Sequence, residues 1–201
     1  MFNSCKRFSK EGFTVYEKGR KNGVMVASHP SLSNFLVKKY ENKFSHEDQL
    51  KNFLCRINGA RILNDFIKLN NFKHITVAQK WLYPLPEAFS DSQTGERAYV
   101  LIVEKLPIRS GGDHSQENIA RMYAAINKET LKELCTVLYY FRGLDSDWDN
   151  LPFTYQNQIA FVDTENWEDD RQEYLLKLKV FLSEENQKYA EEIFEDLRRQ
   201  S

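Results

Sequence analysis

The residues best placed to do chemistry stand together in the second half of the chain. The run Gly143-Leu144-Asp145-Ser146-Asp147-Trp148-Asp149-Asn150-Leu151-Pro152-Phe153-Thr154 sets several oxygen-bearing side chains within one loop. A short apolar stretch, Ile159-Ala160-Phe161-Val162, then ends on Asp163-Thr164-Glu165. Carboxylate and side-chain amide oxygens are the ligands that a small, hard divalent cation takes, and a positioned carboxylate can orient or deprotonate a hydroxyl. A plainer reading stays open: Asp145, Asp147 and Asp149 form a solvated loop, and Asp163 caps a following helix.

These residues need a scaffold, and the hydrophobic pattern outlines one. Gly12–Glu17, Gly23–Ala27 and Phe35–Tyr40 read as short strands, the first two separated by a turn at Lys18–Gly23. From His46 the apolar period changes. Leu50, Phe53, Leu54, Ile57, Ala60, Leu63 and Ile67 recur at helical steps, predicting one long helix to about Leu69 with Gly59 as a weak point. His74–Ala78 and Ala98–Val103 supply two more strands, with loops around Pro84, Pro86 and Ser90–Gly95 between them. Connections this short favour an antiparallel five-stranded sheet with one helix against it.

After a joint at Ser110–Asp113 the chain turns helical. One helix is expected over about Gln116–Ala125 and another from Lys128, ended by Gly143. Leu151–Thr154 and Gln158–Val162 suit a small hairpin broken at Tyr155-Gln156-Asn157. Tyr189, Ile193 and Leu197, spaced four apart, mark a last helix. The expected fold is therefore α+β and bilobal, with a sheet lobe over 1–104 and a reduced, mainly helical lobe over 105–201.

In element order and in a few residues, this chain resembles the protein-kinase-like superfamily. There a catalytic Asp is followed five residues later by an Asn, and a second Asp ends an apolar strand; Asp145, Asn150 and Asp163 repeat that arrangement. The resemblance implies ATP and Mg as cofactors. Asn150 and Asp163 would hold the metal, and Asp145 would orient or deprotonate the acceptor hydroxyl. Lys38 would meet the α- and β-phosphates, with Lys39 as its rival because strand alternation alone does not choose between them. Val103-Glu104-Lys105-Leu106 is similar to the hinge, whose backbone at Glu104 and Leu106 would pair with adenine.

The departures point to a divergent member. Asp163 is followed by Thr164-Glu165, an ending that looks more like the branch of aminoglycoside phosphotransferases and choline kinases and would make Glu165 a further metal ligand. Gly143-Leu144 stands where a His-Arg pair would help order the loop, and Gly19 and Gly23 imitate a glycine-rich phosphate loop poorly. The central turns of the long helix carry Arg56, Asn58 and Arg61 rather than a carboxylate for Lys38. Only residues 164–201 follow Asp163, and they hold no activation segment or Ala-Pro-Glu motif. Two functions are thus expected: an atypical ATP-dependent phosphotransferase acting on a hydroxyl of a protein or small molecule, or a pseudokinase that serves as a protein-binding module.

Composition bounds the partners. A net charge of −1 and a pI near 6.4 argue against bulk electrostatic binding to nucleic acid or an anionic membrane. No stretch approaches the length of a transmembrane helix, no signal peptide is evident, and Cys5, Cys55 and Cys135 show no pairing pattern. A cytoplasmic protein with reduced thiols is expected; a secreted effector of a host-associated bacterium is a weaker alternative. His29, His46, His74 and His114 are scattered without metal-ligand spacing, and Trp81–Pro86 is read as an apolar cover between lobes.

Overall fold

The computed structural model describes residues 8–16, 24–40, 45–85, 98–109, 115–165, 167 and 176–200. The turn with Gly19 and Gly23, the loop at 90–95, the joint at 110–113, Cys5 and His114 lie outside these residues. In chain order the elements are β1 (Thr14–Tyr16), β2 (Val24–Ser28), β3 (Phe35–Tyr40), α1 (His46–Leu69), β4 (Ile75–Val77), β5 (Lys80–Pro84) and β6 (Tyr99–Glu104). They are followed by α2 (Gln116–Ala124), α3 (Lys128–Tyr140), β7 (Ile159–Phe161), α4 (Leu176–Lys179) and α5 (Glu184–Gln200). Among the described residues no helix is long and apolar enough to cross a membrane.

The chain divides into two compact units, residues 1–58 with 79–105, and residues 59–78 with 106–201. The fold class is α+β, as expected, and the first unit holds a five-stranded sheet in the order β1-β2-β3-β6-β5, antiparallel throughout. One of its strands differs from the sequence reading. Ile75–Val77 leaves that sheet and pairs in parallel with Ile159–Phe161 of the second unit, Ile75 opposite Ile159. Its place is taken by Lys80–Pro84, the segment read as a loop and an apolar cover. Accordingly residues 59–78, assigned by pattern to the first lobe, lie in the second unit. The cause is local: Ile75 and Val77 are buried among second-unit residues, whereas Trp81 and Tyr83 are half-exposed on an edge strand that tolerates Pro84 at its end.

Strand alternation now separates the two lysines of β3. Val37 belongs to one apolar cluster with Phe8, Met25, Ala27 and Val100. Tyr40 instead packs its ring 5.0 Å from that of Phe53 on α1. Successive side chains point to opposite faces, so Lys38 shares the helix-side face with Tyr40, and Lys39 shares the other face with Val37. Ser45 caps α1: its hydroxyl donates to Asp48 at 2.6 Å and accepts the Asp48 amide at 3.1 Å.

The second unit is organised by one continuous core. Ala60, Leu63 and Ile67 of α1, Tyr123 of α2, Leu131, Leu134 and Leu138 of α3, and Ile193 and Phe194 of α5 converge on Leu151, Ile159 and Phe161. Cys135 is buried in it, whereas Cys55 on α1 is only partly buried. Asn127 caps α3 by accepting the Thr130 amide at 2.8 Å, and Asn186 Nδ2 donates to the Ile126 carbonyl at 3.0 Å, tying α5 to the turn before α3.

Candidate functional site

The acidic loop begins where α3 ends. Phe141 closes that helix by donating its amide to Val137, and Leu144 is buried, so Asp145 starts from a fixed point. Turns then carry the chain round: the Asn150 amide donates to the Asp147 carbonyl at 2.9 Å. Beneath the loop, fully buried Tyr123 donates its hydroxyl to the Leu151 carbonyl at 2.7 Å. Burial raises the pKa of that phenol far above its ordinary value, so it stays a neutral donor. The expected hairpin follows. Thr154 donates its amide to Gln158 at 2.8 Å, Ala160 donates to Pro152 at 2.9 Å, and Asn157 turns the chain with φ at 61°. Asn readily takes that left-handed conformation, and its side chain accepts from Arg109 at 2.7 Å.

Asp145 and Asn150 meet directly, Asn150 Nδ2 donating to Asp145 Oδ2 at 3.1 Å. That bond uses the amide nitrogen of Asn150 and leaves its side-chain oxygen as the atom suited to a cation. The backbone joins the strand end to the same point, because the Val162 amide donates to the Asn150 carbonyl at 3.2 Å. Asp163 comes next and folds back on its own turn, its Oδ1 accepting the Glu165 amide at 3.1 Å. Asp163 therefore braces the short turn from 163 to 165. Asp145, Asn150, Asp163 and Glu165 are all partly buried, whereas Asp149 is exposed.

Gly59 has a clear local role here. A Cβ at this position of α1 would strike the Thr164 carbonyl and the Trp167 ring. The glycine is a close-approach site against the turn that carries Asp163, rather than a weak point in the helix.

A residue that pattern reading passed over completes the loop. Lys177 of α4 donates to Asp145 Oδ1 at 2.8 Å and to Asp147 Oδ2 at 2.7 Å. Its hydrogen bond to Asp145, then that to Asp147, raises the lysine pKa above its usual value. With the Asp147 amide also donating to Oδ1 at 3.2 Å, Asp145 is held by donors on both oxygens.

In the first unit, Lys38 and Lys39 lie on opposite faces of β3 as described. In the hinge-like run, the Glu104 amide donates to the Gln79 carbonyl at 2.9 Å and the Lys105 amide to the Asn34 carbonyl at 2.8 Å. The Glu104 carboxylate accepts the Gln79 amide at 3.0 Å. Leu106 accepts the Ile108 amide at 2.8 Å.

One histidine is less isolated than its spacing implied. His74 Nδ1 lies 3.1 Å from Glu133 Oε1, and Glu129 places an oxygen within the same 4.8 Å cluster. Glu133, nearly buried, also accepts the Lys73 and His74 amides at 3.0 and 2.8 Å. It acts as a cap for the chain entering β4.

No protein-family model and no curated protein matches the sequence. Solved structures similar to it include a MAP kinase, LmaMPK10, from Leishmania major, at 17% identity and a TM-score of 0.37, covering 81% of this chain and 49% of that one. Another is the alpha-kinase domain of myosin-II heavy chain kinase A in complex with adenosine, at 11% identity and a TM-score of 0.41, covering 82% and 66%. The chain thus spans about half the length of the first and two thirds of the second.

Proposed function

We propose that this chain is a divergent, reduced kinase-like phosphotransferase that uses ATP and Mg to move a γ-phosphoryl group onto a hydroxyl of a protein or small molecule. The observation that supports this most is the Asp145–Asn150 hydrogen bond together with the Val162-to-Asn150 backbone bond. They join an acidic loop to the strand end that carries Asp163.

In this reading Asp145 orients or deprotonates the acceptor hydroxyl. The oxygens of Asn150, Asp163 and Glu165 suit magnesium, which when bound would neutralise phosphate charge. Lys38, on the helix-side face of β3, is the better choice than Lys39 for the α- and β-phosphates. In the hinge-like run the Glu104 and Lys105 amides are engaged, so Leu106 supplies the amide that adenine would use. The Asp-Thr-Glu ending favours the small-molecule branch of aminoglycoside phosphotransferases and choline kinases.

A second reading has its own support. Lys177 already neutralises Asp145 and Asp147, which is what a pseudokinase that binds a protein partner without turnover would tolerate.

Thermal unfolding with ATP and magnesium tests the first reading. A nucleotide at 100 times its Kd contributes about 2.7 kcal/mol. Asp163→Ala is expected to abolish the metal-dependent shift, Lys38→Met to weaken it, and Asp145→Ala to keep the shift while losing phosphoryl transfer. Absence of any nucleotide shift in the wild-type chain sinks the phosphotransferase reading. A shift without transfer to any hydroxyl acceptor supports the pseudokinase.

A further inference from the structure

We propose that the concavity on the sheet face bearing Val37 is a binding site for an organic ammonium, a small molecule with a broad apolar body and one protonated amine. The site lies wholly in the first unit, on the face of β3 opposite Lys38. It is therefore separate from the phosphate contacts proposed above and does not rest on them. Strand register builds its floor. Val37 stands opposite Ile102, and Tyr83 opposite Val100, which sets these four side chains on one face.

The walls are aromatic and braced. Gly12, with φ at 85°, turns the chain so that the Phe13 amide donates to the Phe8 carbonyl at 3.0 Å. The rings of Phe8 and Phe13 lie 4.8 Å apart, and the His29 ring packs on Phe13 at the same distance. Phe35 meets Trp81 edge-on at 5.8 Å. Each of these rings is thus packed against another, which limits collapse into the space.

Size, lining and charge name the occupant. At about 460 Å³ the space falls among small-molecule pockets, which run roughly 300–1,000 Å³. Its described lining is apolar apart from the Tyr83 hydroxyl and the Glu11 carboxylate. Glu11 is exposed, and no cation among the described residues pairs with it. A carboxylate ligand would be repelled there, and a neutral one would leave Glu11 unpaired beside apolar surface. An ammonium pairs with Glu11 and is also attracted by the aromatic rings around it.

The test uses the full chain and three probes that share one apolar body and differ in head group: pyrenemethylamine, pyrenemethanol and pyreneacetate, each titrated by its emission. The wild type is expected to bind the amine several-fold more tightly than the alcohol, and the carboxylate least. Glu11→Gln, at an exposed site, is expected to bring the amine to the alcohol's affinity and leave the alcohol unchanged. Ile102→Trp, which fills the space, is expected to weaken all three. Binding without preference for the amine, or a preference that survives Glu11→Gln, overturns the ammonium assignment. Absence of binding by every probe overturns the site itself. Sedimentation velocity covers the other occupant: a wild-type dimer that dissociates in Ile102→Trp makes this face an interface between copies and also overturns the proposal. Circular dichroism checks the fold of each variant, and the Glu11→Gln comparison stands alone if the larger substitution disturbs it.

Discussion

The two units are filled very differently. In the first, a small cluster around Met25, Ala27, Val37 and Val100 occupies one face of the sheet, and a concavity of about 460 Å³ opens there between Phe8, Phe13, Phe35 and Tyr83. In the second, one core runs unbroken from Ala60 to Phe194, and the acidic loop and Asp163 turn hang directly from it through Leu144, Leu151 and Phe161. The candidate carboxylates therefore inherit their positions from dense packing. The candidate lysines of β3 depend mainly on strand register.

Single substitutions can break that contrast. Leu134→Ala, at a fully buried site in the continuous core, is expected to lower stability by about 2–5 kcal/mol in urea unfolding. Met25→Ala is equally buried but borders the more open cluster, whose neighbours can relax, so its effect should fall at the low end of that range. Equal losses would erase the difference between the units.

Gly59→Ala follows. Alanine is the better helix former by about 1 kcal/mol, yet its methyl would lie 2.3 Å from a backbone carbonyl and 2.6 Å from an indole carbon, so something must shift. Overpacking of this kind costs about 1–3 kcal/mol, so a net loss is expected, with a change in Trp167 fluorescence. A gain in stability would show that the Asp163 turn is free to move.

Tyr123→Phe leaves the Leu151 carbonyl without its buried donor, a loss of about 1–2 kcal/mol. It should also lower cation binding by the loop if that bond sets the loop's position. The smallest effects belong to charge. Glu185 and Glu191 have lowered pKa values, first through their hydrogen bonds to Lys128 and Lys179. Their contribution is present above the ordinary glutamate value and fades as pH falls through the folded one. Lys177 runs the other way: its raised pKa makes its contribution complete below the ordinary lysine value and lost as pH climbs through the folded one. The Lys128 pKa is raised too, first through its hydrogen bond to Glu185. The stability profiles of Lys128→Ala and Lys177→Met should therefore both rejoin wild type as pH climbs through the folded lysine values, and that of Lys128→Ala should also do so as pH falls through the folded Glu185 value.

Much of this architecture is written in local pattern. The three- and four-residue steps from Leu50 to Ile67 define α1, and Phe35–Tyr40 and the helix from Lys128 emerge where periodicity places them. Asp145 and Asn150 could be paired on spacing because both lie in one loop. What local pattern does not encode is choice of partner. Ile75–Val77 reads as a strand in any sheet; its parallel match with Ile159–Phe161 depends on contacts more than eighty residues away. Lys80–Pro84 was hidden because Trp81 and Tyr83 put bulky rings on its open face, so apolar and polar residues do not alternate. Lys177 carried no signal at all, since a lysine on a short helix reads as solvated until its neighbours in space are known.

The bare α-carbon at residue 59 fixes a dimension. With nothing projecting from the helix barrel there, the Thr164 carbonyl sits only 2.3 Å from the point a side chain's first carbon would occupy. The approach of the Asp163-Thr164-Glu165 turn to the helix is thereby gauged by a missing methyl group. Any bulk introduced at that spot acts as a shim between the helix and the turn.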